Sequence, residues 1–396
     1  MSFDVVKQQA VAMQEELVAF RRELHLFPEL SLQESETSRK VKQELEQIGA
    51  IIKTDPDGFG FIAEFKGEED GPVIALRADM DALPIEEETA VPFASKNKGV
   101  MHACGHDGHT AMLLGAAKII AKQSFKGTIR LLFQAAEEIN AGAKSLIAAG
   151  ALDGVSEIYG LHNLPTLPAG MAATRSGSLM GSVDRIEIKL EGKGGHGAIP
   201  DQSIDPVVAA SAIVMGLQTI VSREISPFQP VVVTIGSIQS GIANNVIPHY
   251  AEMTGTIRTF DPAVQAGMHE RIERIVKQIA ASYRCEANLK YISQTPVLVN
   301  HEQPLEHMET VIDEVIGRNN RVEAAPTLAG EDFSVYLQSV PGCFFWLGAG
   351  PAENADQAFG LHHPKYNLNE DCLAHGTALL AAIALQRLAE LGGYKL

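Results

Sequence analysis

Cysteine is scarce in this 396-residue chain, and Cys104, Cys285, Cys343 and Cys372 are too scattered for a disulfide framework. Reduced thiols in a cytoplasm are the expectation. No block of lysine and arginine occurs either. With 32 basic against 49 acidic residues the formal charge is −17, which opposes attraction to nucleic acid and to polyphosphates. The opening run MSFDVVKQQAVAMQEELVAFRRELHLFPEL lacks a long apolar stretch, because Asp4, Glu15, Glu16 and Arg21 interrupt it. A signal-peptide core and a membrane span are thereby excluded there, and the protein is expected to stay in its compartment of synthesis without contacting a membrane. Internal repeats and low-complexity tracts are also missing, which excludes solenoids and disorder. What remains is ordinary globular composition, 45% hydrophobic and 20% charged, over a length that suits two or three domains.

The spacing of Leu17, Phe20, Leu24 and then Val41, Leu45, Ile48 predicts two helices between Asp4 and Ile48, separated by a turn at Pro28 and stopped by Gly49. Short apolar runs then alternate with helical stretches: FGFIAEF, PVIALRAD, a helix near 110–122, TIRLLFQ, a helix near 141–149, and EIYGLH. This alternation predicts an α/β domain with a mostly parallel sheet flanked by helices. From DRIEIKLEG the grammar changes, with Ile186, Ile188 and Leu190 alternating with charged residues as in a half-exposed strand. Asp205–Pro206 and Asp261–Pro262 each read as the cap and first turn of a helix. Strands near 231–237, 251–260 and 285–293 complete a β-α-β-β-α-β order, the pattern of a ferredoxin-like α+β unit. The expected organisation is a discontinuous first domain, 1–182 and 294–396, interrupted by an inserted domain at 183–293.

The densest chemical signal is MHACGHDGHT, which places His102, Cys104, His106, Asp107 and His109 just ahead of a helix. Thiolate, imidazole and carboxylate are metal-ligand types, with Cys104 and His106 the favoured ligands. His109, one turn beyond His106, is either a further ligand or a donor behind one. Asp79 and Asp81, Glu137 and Glu138, and His162 each fall at the carboxyl end of a predicted strand, the edge where open α/β sheets bind ligands. Taken singly, a glutamate pair reads as a helix N-terminus and a lone histidine as a surface group. Their convergence is what points to a site. His362–His363 offers a last imidazole, with a polar turn as the plain alternative. So many donors exceed the needs of one tetrahedral ion and point to two metals, about 3.5–4 Å apart in such sites. Adjacent Glu137 and Glu138 then offer a base beside a ligand. In the inserted domain, His196 in GKGGHGAIP, Asn244 and Asn245 in GIANNVIP, and Arg258 are the groups an amidase uses for an oxyanion and a substrate carboxylate, although a plain turn also explains the glycines.

In order along the chain, RRELHLFPELSLQE, RADMDALP, GVMHACGHDGHTAMLLGAA, QAAEE, GLHN, GKGGHGAIP, NNVIP, GTIRTF, GEDFS and LHHPKYN resemble one family nearly end to end. It is the dinuclear metallohydrolase family of aminoacylase, hippurate hydrolase, auxin–amino acid conjugate hydrolases and glutamate carboxypeptidase, and the Cys-Gly-His form resembles its aminoacylase and hippurate hydrolase branch. The resemblance implies two divalent ions, zinc first and manganese, cobalt or nickel as alternatives, held by Cys104, His106, Glu138, His162 and His362. It implies Glu137 as general base and Asp81 as an orienting group. His196 is implied to reach the partner subunit's active site, with Asn245 assisting and Arg258 binding the substrate carboxylate, in a homodimer, or a tetramer, built through the inserted domain. The implied reaction is hydrolysis of N-acyl-L-amino acids to a carboxylic acid and a free amino acid by metal-activated water. A dipeptidase or carboxypeptidase on the same site is the alternative, followed by an inactive metal-binding scaffold. Two departures stand out: Ala136, where many relatives carry proline, and Gly197, where alanine is commoner. Glu331 and Asp332 match a family motif and are expected only to support the site's wall.

Overall fold

In the computed structural model, which describes residues 2–394, the chain divides into two compact units. One comprises the chain up to Gly177, Val299–Ala325 and the chain from Asp332 onward; the other comprises Ser178–Leu298 and Pro326–Glu331. The second unit is therefore slightly longer at both ends than the inserted domain expected from sequence. It also recovers a short later segment ending at Glu331.

The first unit is built on an eight-stranded sheet in the order Ile51–Thr54, Phe61–Lys66, Lys126–Gln134, Glu69–Asp79, Val155–Pro168, Gly342–Gly350, Ala172–Thr174, Arg321–Glu323. Its centre is parallel: Glu69–Asp79 pairs in parallel with both Lys126–Gln134 and Val155–Pro168, which pairs in parallel with Gly342–Gly350. The Phe61–Lys66 and Ile51–Thr54 edge is antiparallel. Runs such as Ile74–Ala75–Leu76 and Leu131–Leu132–Phe133 are buried on both faces, as a sheet covered by helices on each side requires. The helices His106–Ile120 and Cys372–Leu391 are buried along almost their whole length. Cys372–Leu391 is long and apolar enough to cross a membrane, but 89% of its apolar window is inside the protein, so here it is a core helix.

The N-terminal region forms three helices, Phe3–Ala12, Gln14–Leu26 and Ser35–Gln47, where sequence periodicity suggested two. The extra break falls at Met13. Gln14 donates to the Glu370 carbonyl (2.9 Å) and accepts from the Ala374 N–H (3.2 Å), a tertiary anchorage that periodicity does not record. The helix expected near residue 110 begins at His106, because Gly105 (φ +85) ends the preceding loop there. A side chain at Gly105 would also collide with Tyr366 and Asn163.

The second unit carries a four-stranded antiparallel sheet in the order Val231–Ser240, Tyr250–Thr259, Val183–Glu191, Glu286–Thr295. Ile186, Ile188 and Leu190 pack with Ile213, Leu217, Ile272 and Val276 from the helices Pro206–Thr219 and Met268–Ser282. Intervening residues such as Arg185 and Lys189 face away from that core, which is the alternation read in DRIEIKLEG. Asp205 and Asp261 cap their helices, accepting from Val207 N–H (2.8 Å) and Ala263 N–H (2.7 Å). The strand order makes this unit the expected ferredoxin-like sandwich. Helix Pro206–Glu224 is also apolar enough to cross a membrane, yet only 33% of its apolar window is buried.

Candidate active site

Three adjacent parallel strands bring their carboxyl ends to one edge of the first unit. Asp79 ends one strand and stands level with Gln134, the last residue of the next. Asp81 follows two residues later, and Glu137 and Glu138 lie in the turn after Gln134. His162 does not end its strand, as sequence suggested; it sits inside Val155–Pro168, level with Trp346 on the neighbouring strand. Cys104 and His106 arrive from the loop and first turn of the buried helix His106–Ile120.

Donor atoms of Cys104, His106 and His162 lie within 4.8 Å of one another, as do those of Cys104, Glu138 and His362, and those of His106, Glu137 and Glu138. The shared members make one continuous cluster. His106 donates from Nδ1 to Asp81 Oδ1 (3.1 Å), turning Nε2 toward Glu138 Oε1 (3.8 Å). His162 donates from Nδ1 to the Asn163 carbonyl (2.8 Å), turning Nε2 toward Cys104 Sγ (3.3 Å). His362 Nε2 lies 3.4 Å from Glu138 Oε1, and its main-chain N–H is tied to the Ala103 carbonyl (2.8 Å). His363 instead accepts from Lys365 N–H (3.0 Å) and stacks on Phe359, so it belongs to the turn. Both nitrogens of His109 are engaged, Nδ1 with Asp79 (2.6 Å) and Nε2 with the Asn163 N–H (3.0 Å), which makes it a support behind the cluster.

The supports form a buried network. Arg77, which is 1% exposed, donates to Asp79 (2.6 Å), Gln134 (2.9 Å) and Asp332 (2.8 Å), and Asp332 also accepts from the Ala143 N–H (3.1 Å). Its neighbour Glu331, also buried, belongs to the second unit. The main-chain N–H of Asp332 points at Glu137 Oε1 (3.4 Å). Asp81 Oδ2 accepts from the Glu138 N–H (3.0 Å), so this one carboxylate orients both His106 and the Glu137–Glu138 turn. Behind them, Arg21 and His25 both grip Asp107 at 2.7 Å, fixing the RRELH segment to the first turn of the central helix.

Burial, reinforced by Glu138, pushes the Cys104 thiol well above its ordinary value, so a thiolate there calls for a cation beside it. Burial opposes charge on Asp79, but His106, His109 and Arg77 outweigh it and hold the carboxyl well below the usual range. Burial and His109 keep His162 neutral, the form that ligates. Burial disfavours a charged His106 as well, yet Asp79 leads the groups that outweigh it and raise its pKa well above the ordinary value, so the pocket favours positive charge. Two donor atoms at its centre, His106 Nε2 and Glu138 Oε1, are buried without a hydrogen-bond partner. Native interiors seldom leave such atoms unsatisfied. A divalent cation supplies what both lack.

Ala136 has φ +55. Proline, locked near −65°, cannot adopt that conformation, so the loop at residue 136 has a shape that a chain with proline at this position does not share.

In the second unit, the two-residue strands Gly195–His196 and Val246–Ile247 pair with His196 opposite Val246, and the Asn245 carbonyl accepts from Gly197 N–H (2.8 Å). His196 and Asn245 are thereby neighbours, both exposed. His196 Nδ1 accepts from the Ala198 N–H (3.1 Å), which places the proton of the neutral ring on Nε2, ready to donate outward. Arg258 donates to Thr256 Oγ1 (2.6 Å) and the Ile257 carbonyl (3.2 Å); burial lowers its pKa and Asp184 opposes this.

Arg77, Asn163, Ser31 and Glu34 received no role from sequence reasoning. Each lies inside a motif quoted for its neighbours, RADMDALP, GLHN or ELSLQE, and that placement was the available signal.

The profile of Peptidase family M20/M25/M40 matches residues 75–386. This chain belongs to that family. Among curated M20 relatives, N-acetylcysteine deacetylase of Bacillus subtilis (strain 168) is 45% identical over 372 residues, covering 93% of this chain and 96% of its own. The IAA-amino acid hydrolase ILR1-like 2 of Arabidopsis thaliana is 41% identical, covering 94% and 85%. The solved structure of the Bacillus subtilis YXEP protein, described as a dinuclear metal-binding peptidase from the M20 family, superposes with a TM-score of 0.82 at 42% identity, covering 96% of this chain and 99% of that one. As an M20 enzyme, the protein is an amide-bond hydrolase.

Proposed function

We propose that the protein is a metal-dependent amidohydrolase that cleaves N-acyl-L-amino acids to a carboxylic acid and a free amino acid. One observation carries the reading: a donor cluster with two buried, unsatisfied atoms, His106 Nε2 and Glu138 Oε1, has a second carboxylate, Glu137, directly beside it. Cys104, His106, Glu138, His162 and His362 would hold two divalent ions, zinc first because of the thiolate, with manganese, cobalt or nickel as alternatives. Bound there, they would lower the pKa of water and polarise the scissile carbonyl. Glu137, aimed by the Asp332 N–H, takes the proton of the attacking water and returns it to the leaving amine. Asp81 keeps His106 and the Glu138 main chain in register. His196, through its Nε2–H, and Asn245 polarise the carbonyl oxygen, while Arg258 pairs with the carboxylate of the amino-acid half. The names of the deacetylase and the auxin-conjugate hydrolase support an acyl group on the substrate nitrogen. The four cysteines, all buried and unpaired, support a cytoplasmic setting.

The test of substrate class compares acetyl- and benzoyl-amino acids with dipeptides bearing a free amino terminus. Acyl-amino acids are expected to be cleaved at least about tenfold faster in kcat/KM, a difference of about 1.4 kcal/mol at the transition state. Equal or faster cleavage of dipeptides would replace this reading with a dipeptidase or carboxypeptidase.

His196 is proposed to act on the partner's site in a homodimer formed through the second unit. Support comes from the half-bare apolar helix Pro206–Glu224, with Val208 and Met215 exposed, and from the open edge strand Val231–Ser240, with Ile238 exposed. A second copy covers both by one isologous contact. Mixing His196→Ala chains with Glu137→Ala chains should then restore about a quarter of wild-type activity, since half the dimers are mixed and each has one intact site. No recovery from confirmed heterodimers would refute action in trans.

A further inference from the structure

The SLQE run, Ser31 to Glu34, supplies no donor to the cluster, yet its polar ends reach the turn that carries Glu137. Glu34 is fully buried; its Oε1 accepts from the Ala136 N–H (2.8 Å) and its Oε2 from the Gln33 N–H (2.8 Å). Ser31 donates to Asp81 Oδ2 (2.7 Å), the same oxygen that accepts from the Glu138 N–H. The amides on either side of Glu137 thus end on two carboxylates from other parts of the chain. Ala136, at φ +55, is in a left-handed conformation that a residue with a Cβ adopts only when its surroundings impose it. The far side of the turn is closed independently, by Ala141 and Gly142 N–H groups on the Ala136 carbonyl and by Asn140 N–H on the Glu137 carbonyl. Removing Glu34 would therefore loosen the aim of the turn without opening it. Its location is also unfavourable for a carboxyl: burial and nearby Asp81 push Glu34 up to about 7, and the Ala136 bond works against them.

We propose that Glu34 is a positioning residue for Glu137, holding Ala136 left-handed and so fixing the direction from which the Glu137 carboxylate meets the attacking water. The inference rests on Glu137 being the general base. Three variants of the full-length, metal-loaded protein test it: Glu34→Ala, Glu34→Gln and, as control, Glu137→Gln. Glu34→Ala should keep the wild-type metal content and melting temperature within a few degrees and KM within about threefold, while kcat falls about 30- to 100-fold, the usual scale of a misaimed catalytic group. Amide hydrogen exchange in a peptide spanning 135–142 should accelerate in the same variant. Glu34→Gln keeps an oxygen for the Ala136 N–H but sets an NH2 against Gln33 N–H, and should recover kcat to within about fivefold of wild type. Wild-type kcat and exchange in Glu34→Ala, alongside an inactive Glu137→Gln, would overturn this inference alone. Losses in both Glu34 variants that merely track lost fold or lost metal would also overturn it. An active Glu137→Gln would overturn the role of Glu137 and this inference with it.

Discussion

Glu137→Gln should lower kcat by about three to four orders of magnitude while the protein keeps its full metal content and its fold. The substitution preserves shape and leaves an oxygen to accept the Asp332 N–H, but an amide cannot take a proton from water, and general acid–base catalysis contributes about 10²–10⁴-fold. Because the same carboxylate is proposed to act at both ends of the reaction, first as base and then as acid to the leaving amine, the upper part of that range is expected. KM should change little, since Glu137 has no proposed part in holding the acyl-amino acid. Steady-state kinetics with elemental analysis of the same preparation checks this; near-normal turnover would remove Glu137 from the mechanism.

Glu138→Ala should produce the opposite signature one residue away. Glu138 Oε1 lies 3.4 Å from His362 Nε2 and 3.8 Å from His106 Nε2, at the middle of the cluster. Deleting it leaves two imidazoles without their shared anionic neighbour, and metal affinity should fall by more than about a hundredfold, beyond the 10–100-fold typical of outlying supports. Activity should fall with occupancy by at least about 10³-fold at ordinary metal concentrations. Metal titration followed by calorimetry separates the two glutamates: one variant loaded and inactive, the other inactive because it does not load. A Glu138→Ala protein that binds metal as tightly as wild type would exclude Glu138 as a ligand.

The two units were legible in the sequence for different reasons. Ile186, Ile188 and Leu190 alternate with charge because one face of their sheet is bare, and such a pattern survives without tertiary information. The α/β unit showed itself through apolar strands that lead into Asp79, Asp81 and the Glu137–Glu138 pair, residue types that the ends of strands do not otherwise need. Less visible were features decided by partners far along the chain. The break at Met13 depends on Gln14 meeting Glu370 and Ala374. The standing of His109 depends on Asn163 using its second nitrogen, and the choice between His362 and His363 depends on which of the two meets Glu138. Glu34 and Arg77 look like ordinary charged residues in the sequence. Their bonds to Ala136 and Asp332 span more than a hundred residues, which no local pattern records. The left-handed conformation of Ala136 left no mark in the sequence for the same reason: the Glu34 carboxylate that accepts from its N–H lies 102 residues away.

The most direct test of the central claim is metal content per chain measured by elemental analysis, with release of free amino acid from acetyl- and benzoyl-amino acids followed in the same samples before chelation, after it and after metal add-back. The account predicts about two divalent ions per chain, hydrolysis that disappears on chelation, and recovery that rises with reloading. Hydrolysis that persists after both ions are removed, or a protein that takes up no stoichiometric metal under any loading condition, would contradict it.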